Sequence, residues 1–350
     1  MKVLSLTANT PGFYRRETAA LADLGIERTT LEVPGNPDEG RSVADYLRFV
    51  PEAIREATEE YDLVHANYGL TAPMALAQRE LPVVVSLWGS DLLGEFGWLS
   101  KACARWADEV VVMSAEMDAQ VGVESHVVPH GVNAEQFRPA SKCEAREEVG
   151  WTDDARHVLF PYAPDRSLKD FPRAGRVVES ARERVESPVE LHPLGGVDHD
   201  RIPTYMNAAD VLLLTSRREG LPNSVKEAMC CNLPVVATDV GDVAECLRGV
   251  SPSALCETDA ELAGALGDVL ADPRRSNGRE EISDLRVERV AERLGGVYDD
   301  ALGRESGLGL GTGPDRESGE NAGRTHGDAT ADSDTQTESG GNRERPPARR

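Results

Sequence analysis

The chain alternates short apolar runs with longer stretches of helical patterning. Runs at residues 3–6, 26–33, 63–66, 83–87, 110–113 and 127–128 form a first series, and runs at 157–162, 189–194, 211–215 and 234–238 form a second. Continuous apolar runs separated by helix-length segments predict parallel strands buried on both faces. Two successive series predict an α/β protein of two Rossmann-like sheets. The break between them falls near residues 139–151, where Pro139-Ala-Ser gives way to the charged run Glu144-Ala-Arg-Glu-Glu148. The expected domains are therefore 1–140 and 141–302. Residues 287–294 carry apolar positions at helical spacing and could pack on either domain. From about Gly303 to residue 350 the chain is rich in Gly, Ser, Thr, Asp and Arg, a composition expected to remain disordered.

The 350 residues carry a formal charge of −23, which argues against a nucleic-acid partner, since phosphate polymers are bound by clustered Lys and Arg. Only Lys2, Lys101, Lys142, Lys169 and Lys226 are lysines, so nearly all positive charge is Arg. This imbalance points to a salt-adapted surface, with an ordinary acidic cytosolic protein as the alternative. At molar salt the Debye length falls to about 3 Å and acidic self-repulsion is screened. Cooperative folding is therefore expected to be lost at low ionic strength. A thermal midpoint that stays constant between physiological and molar salt would contradict this.

The six cysteines form no C-x-x-C pair and are expected to act as small buried hydrophobes. Lys2 leads straight into the run at 3–6, which lacks the apolar length of a signal peptide or membrane span. A cytoplasmic location is expected, with peripheral contact at the inner membrane face left open. Tyr46, Leu47, Phe49, Val50 and Ile54 form an apolar group on an expected helix, which could dip into a membrane or pack into the core.

Candidate chemistry concentrates in residues 211–245, which read as strand, loop, helix, strand, loop and helix. In an open parallel sheet, ligands bind beyond the carboxyl ends of the strands, so the loops at 215–222 and 238–242 are expected to line a crevice. Pro222 suits a first helical turn, and Asn223 or Ser224 can cap it. The free amides and positive dipole end of that helix, with Gly220 and Leu221 leading into it, offer a seat for a diphosphate. Glu227 can accept hydrogen bonds from a ribose diol, and Glu219 can hold hydroxyls of a transferred sugar. The plainer alternative makes Glu227 a solvated helix residue paired with Lys226.

The segment Glu219-Gly-Leu-Pro-Asn-Ser-Val-Lys-Glu227, followed by Ala-Met and Pro234-Val-Val-Ala-Thr-Asp-Val-Gly241, resembles the E-x7-E signature region of family 4 retaining glycosyltransferases. Similarity of layout extends over roughly residues 1–300. The resemblance implies a GT-B fold of two facing Rossmann-like domains, with an acceptor-side first domain and a nucleotide-sugar donor held mainly by the second. It implies transfer to a glycan or lipid-linked acceptor, typically in cell-surface polysaccharide or glycoconjugate synthesis. Arg166 and Lys169 take the family's phosphate role, stabilising the departing diphosphate, with an exposed basic loop as the alternative. The family more often shows a Gly-Arg several residues before its Lys and a Gly after it, where this chain has closer spacing and Asp170. No divalent cation is then required, and no metal-ligand spacing such as D-x-D stands out as a site.

In the first half, Gly12 resembles the glycine that lets a loop approach the donor phosphate, although a simple strand-to-helix turn fits as well. His65 and His130 match acceptor-side text of the family, each with a structural alternative. Gly89 and Asp91 match the family's His-Gly-x-Asp loop, but Trp88 stands in place of its histidine. A GT-B nucleotide-sugar epimerase and a non-catalytic glycan- or nucleotide-binding subunit are the rival readings.

Overall fold

A computed structural model describes residues 1–35 and 41–304; the expected tail beyond Arg304 lies outside the described residues. Six parallel strands make the first sheet: β1 (Lys2–Thr7), β2 (Glu27–Glu32), β3 (Leu63–Asn67), β4 (Val83–Leu87), β5 (Glu109–Val112) and β6 (His126–Val127), in the order β2-β1-β3-β4-β5-β6. Five make the second: β7 (Arg156–Phe160), β8 (Val189–Pro193), β9 (Val211–Leu214), β10 (Val235–Thr238) and β11 (Ala254–Cys256), in the order β11-β10-β9-β7-β8. All ten expected strands are present. The three-residue β11 escapes the sequence reading because so short an apolar run does not stand out.

The inner strands are mostly apolar because helices cover both faces, whereas edge strands β2 and β8 carry polar and exposed residues. Every residue of β3, β4, β9 and β10 is buried. On the second sheet the two faces feed separate clusters, with Leu159, Leu212 and Leu214 on one side and Val158, Val211 and Leu213 on the other. This is the period-2 alternation of a strand between two helical layers.

Four helices bear on function: α1 (Gly12–Asp23), α2 (Val43–Glu56), α3 (Asn223–Cys230) and α4 (Val287–Ala301). The expectation that the second domain runs to residue 302 is corrected by α4. Its Val290, Ala291, Leu294, Val297 and Tyr298 join the core of the first sheet. The Tyr298 hydroxyl sits 2.8 Å from His65 Nδ1 and accepts from Arg28 Nη2 at 2.5 Å. The chain thus crosses between domains twice, and the crossings run side by side. Val132 N donates to Leu285 O and Val287 N donates to Val132 O, both at 2.9 Å. A Cβ on Gly131 would lie 2.4 Å from Val287 Cα, so only glycine allows this approach.

Helix α2 divides the apolar group expected there. Phe49 is buried in the core with Tyr46 and Val50 packed against it, whereas Leu47 and Ile54 are 65% and 44% exposed. No helix among the described residues is long and apolar enough to cross a membrane. Five cysteines are buried as expected, and Cys143 is exposed.

Candidate functional site

In the second sheet the chain runs outward from β7 to β8 and returns beside β7 as β9, so the strand order reverses between β7 and β9. A crevice opens beyond the carboxyl ends of strands at such a point. Tyr162, two residues past β7, forms its floor. The Tyr162 hydroxyl donates to Glu219 Oε1 at 3.3 Å and lies 3.0 Å from Ser224 Oγ, while Lys169 Nζ and Arg166 Cζ sit 4.0 and 5.3 Å from its ring centroid. Lys169 Nζ donates to Glu219 Oε1 at 2.5 Å, and Ser216 Oγ donates to the same oxygen at 2.6 Å. Burial lowers the Lys169 pKa, the Glu219 carboxylate opposes that shift and the Arg166 charge adds to it. The phenol of Tyr162 is pushed well above its ordinary value, first by burial and then by Glu219. Asp170, following Lys169, adopts φ 53°, a conformation that glycine enters freely and Asp tolerates. Its carboxylate accepts from Arg173 N at 3.3 Å and from Arg217 Nε at 2.9 Å.

Helix α3 begins immediately after Pro222, and no side chain caps it. The expected cap by Asn223 or Ser224 is not formed, because the Ser224 hydroxyl turns to Tyr162. Its first amides and positive dipole end therefore face the crevice, the arrangement that binds anions. Lys226 and Glu227 leave the helix in different directions. Lys226 is fully buried, its Nζ donates to His130 O, and burial lowers its pKa to about 8, with the Glu227 carboxylate opposing the shift. Glu227 is 7% exposed and accepts from His199 Nε2 at 3.1 Å. The pairing of Glu227 with Lys226 is thereby replaced by a contact to His199. From the first domain, Arg16 on α1 approaches Glu227; burial lowers the Arg16 pKa and Glu227 opposes the shift.

Two adjoining cavities, of about 800 and about 550 Å³, share Arg166, Lys169, Glu219, Leu221 and Pro222 in their walls. Gly220, Gly89 and His130 line the larger, and Gly12, Asn223, Ser224 and Glu227 line the smaller. The cleft thus gathers twelve of the fourteen expected site residues.

His65 and Asp91 are the exceptions, and their acceptor-side assignment is corrected. His65 is fully buried on β3, with Nε2 2.7 Å from Ser86 Oγ and Nδ1 on Tyr298. Burial, reinforced by Arg28, holds its pKa well below the ordinary value, so it is a neutral structural ring. Asp91 is 1% exposed and accepts from the amides of Gly69, Trp88 and Gly89 at 2.7–2.9 Å, shaping the loop from within. Burial raises its pKa against those hydrogen bonds. His130 reaches the cleft with its ring 3.8 Å from the Phe13 ring, and burial with the Lys226 and Arg16 charges lowers its pKa to about 3. Trp88 meets Phe13 edge-on at 5.0 Å, so an aromatic group occupies the wall where the resembled family has its histidine.

The loop after β10 forms no part of either cavity wall, contrary to expectation; it lies behind the 215–222 loop as its support. Thr238 Oγ1 donates to Ser216 O at 2.8 Å, and Asp242 N donates to Gly220 O at 3.1 Å. Sequence reasoning also missed Tyr162, Ser216, His199, Arg16 and Phe13 as parts of the site. Only Tyr162 and Ser216 had a local signal, Tyr162 ending one predicted strand and Ser216 directly following another.

Comparison with known proteins gives the same layout. Residues 171–272 match the model of the glycosyl transferases of group 1, and residues 3–134 match the glycosyl transferase 4-like domain, together more than half of the chain. Over 211 residues the chain is 28% identical to a Bacillus subtilis (strain 168) protein named as the teichuronic acid biosynthesis glycosyltransferase TuaC. That match takes in 52% of this chain and about half of the relative's length, 54%. Among solved structures, sucrose-phosphate synthase of Thermosynechococcus elongatus superposes with a TM-score of 0.69 at 19% identity, over 87% of this chain and 100% of that one. HepE of Anabaena, in complex with UDP and glucose, superposes at 0.61 and 16% identity, over 84% and 98%. These structures share the two-domain GT-B fold.

Proposed function

Since this chain belongs to the glycosyl transferases of group 1, we infer that it moves a sugar from a nucleotide-diphosphate-sugar to a hydroxyl acceptor with retention of configuration. The observation that carries this reading is the gathering of Lys169, Glu219 and Glu227 around one cleft at the uncapped start of α3. The donor diphosphate rests on the α3 amides beside Arg166 and Lys169, and negative charge grows on it as the glycosidic bond to phosphate breaks. Glu227 accepts from the ribose diol and Glu219 from hydroxyls of the transferred sugar; both position and neither attacks. With two cations and a helix end serving the phosphates, the scheme uses no divalent metal there. The acceptor hydroxyl enters from the first-domain wall near Gly89 and His130.

The UDP complex of HepE supports a uridine diphosphate donor as the first to test. The teichuronic acid assignment of the B. subtilis relative supports a cell-surface polysaccharide as product. Exposed Leu47 and Val43 on α2, 65% and 68% accessible, support contact with a lipid-linked acceptor at a membrane surface.

A panel of nucleotide-sugars, screened in concentrated salt for protection against thermal unfolding, tests the donor assignment. One donor is expected to protect, and Glu227→Ala is expected to raise its KM or abolish turnover. Unchanged kinetics in that variant would remove Glu227 from the site. Accumulation of an isomerised donor without acceptor would replace transfer by epimerisation.

A further inference from the structure

Three potential ligand groups, none of which lines either cavity, converge between the start of β7 and edge strand β8. His157 on β7 pairs in register with Glu190 on edge strand β8, and His192 lies two residues further along β8 on the same face. His157 Nδ1 and His192 Nε2 are 2.9 Å apart, and Glu190 Oε2 lies 3.7 Å from the former and 3.5 Å from the latter. A point equidistant from these atoms is roughly 2 Å from each, matching the zinc distances of about 2.0–2.2 Å to imidazole nitrogen and carboxylate oxygen.

Supporting contacts orient the ligands. His157 is fully buried, and its Nε2–H donates to Thr152 O at 2.7 Å, which leaves the Nδ1 lone pair facing the other two groups. Such an outer hydrogen bond fixes the tautomer and aim of a ligating imidazole. Trp151 stacks on the His192 ring at 3.8 Å and on the His157 ring at 4.8 Å, covering one side of the cluster. The Glu190 side chain is 52% exposed, so the opposite side opens to solvent.

We propose that His157, Glu190 and His192 bind one divalent transition-metal cation of the zinc class, which ties edge strand β8 to β7 and to the Trp151–Thr152 segment entering the second sheet. Two imidazoles and one carboxylate suit this class better than calcium or magnesium, which take oxygen ligands. The site is separate from Lys169, Glu219 and Glu227, and its role is to brace the sheet.

Equilibrium dialysis of the chelator-treated full chain against zinc sulfate tests the assignment, with tryptophan fluorescence recorded in parallel. The wild type is expected to take up one zinc per chain that His192→Gln and Glu190→Gln bind at least about tenfold more weakly. Fluorescence should respond to zinc in the wild type and not in Trp151→Phe. Glu190→Gln alters a half-exposed side chain without changing its size, so it reports on binding even if the His192 variant loses structure. Equal uptake by the wild type and Glu190→Gln, or no uptake by either, overturns the proposal.

Discussion

Lys169→Ala is expected to lower kcat by about a hundred- to a thousand-fold, the loss seen when one positioned donor to a developing negative charge is removed. Lys169 can reach the cleft's anion seat because its ammonium is held over the Tyr162 ring, 4.0 Å from the centroid, beside Glu219. Removing the cation also leaves the Glu219 carboxylate, only 9% exposed, with Ser216 and Tyr162 as its remaining partners. An incompletely satisfied buried polar group costs about 1–3 kcal/mol, so the thermal midpoint should fall as well. Pairing Lys169→Ala with Glu219→Ala separates the two effects, because the double variant no longer buries an unpaired carboxylate. It is expected to regain much of the midpoint and to remain inactive. A single variant that turns over like the wild type in steady-state assays would remove Lys169 from the chemistry.

Gly241→Ala is expected to cost at least about 3 kcal/mol of stability and to weaken donor binding. Gly241 has φ 57°, and an added Cβ would lie 2.3 Å from Glu219 O and 2.5 Å from Gly220 O. Those atoms belong to the backbone of the loop that presents Glu219, so the clash is relieved only by moving that loop. Gly122→Ala is a suitable control, since Gly122 has φ 81° but an added Cβ there meets nothing within 4 Å. It should lose only the left-handed backbone contribution, about 1–2 kcal/mol. Urea unfolding with donor titration distinguishes them, and equal losses in both variants would show that the Gly241 contact is not tight.

The sheets were legible because strands buried on both faces must be apolar along their whole length. The site was legible where its residues are local. Glu219, Gly220, Pro222 and Glu227 share one loop and helix, and their spacing alone places them at the same edge of the sheet. Partners from distant segments were not legible. His199 reaches Glu227 across 28 positions and Arg16 of the other domain shares its cavity wall, and neither carries a sequence mark that distinguishes it from a surface charge. Burial was harder still to read. Lys226 lies beside Glu227 in sequence, yet one step around the helix turns it inward to His130 O, and a helix position fixes direction without revealing what is packed there. His65 and Asp91 matched expected motif positions but serve the interior, because motif text records identity and not accessibility. Helix α4 was ambiguous for a related reason, since its apolar stripe suits either sheet and the return crossing at residues 285–287 decides between them.

That return crossing makes the first domain discontinuous in sequence. Its core is completed only when the last described helix has been made, so during synthesis its sheet must wait, one face partly bare, until the whole second domain has emerged. Neither half can be excised as a single uninterrupted stretch: a fragment ending near residue 134 would leave Tyr298's place beside His65 unfilled, and the complementary fragment would carry a greasy helix with nothing to cover it.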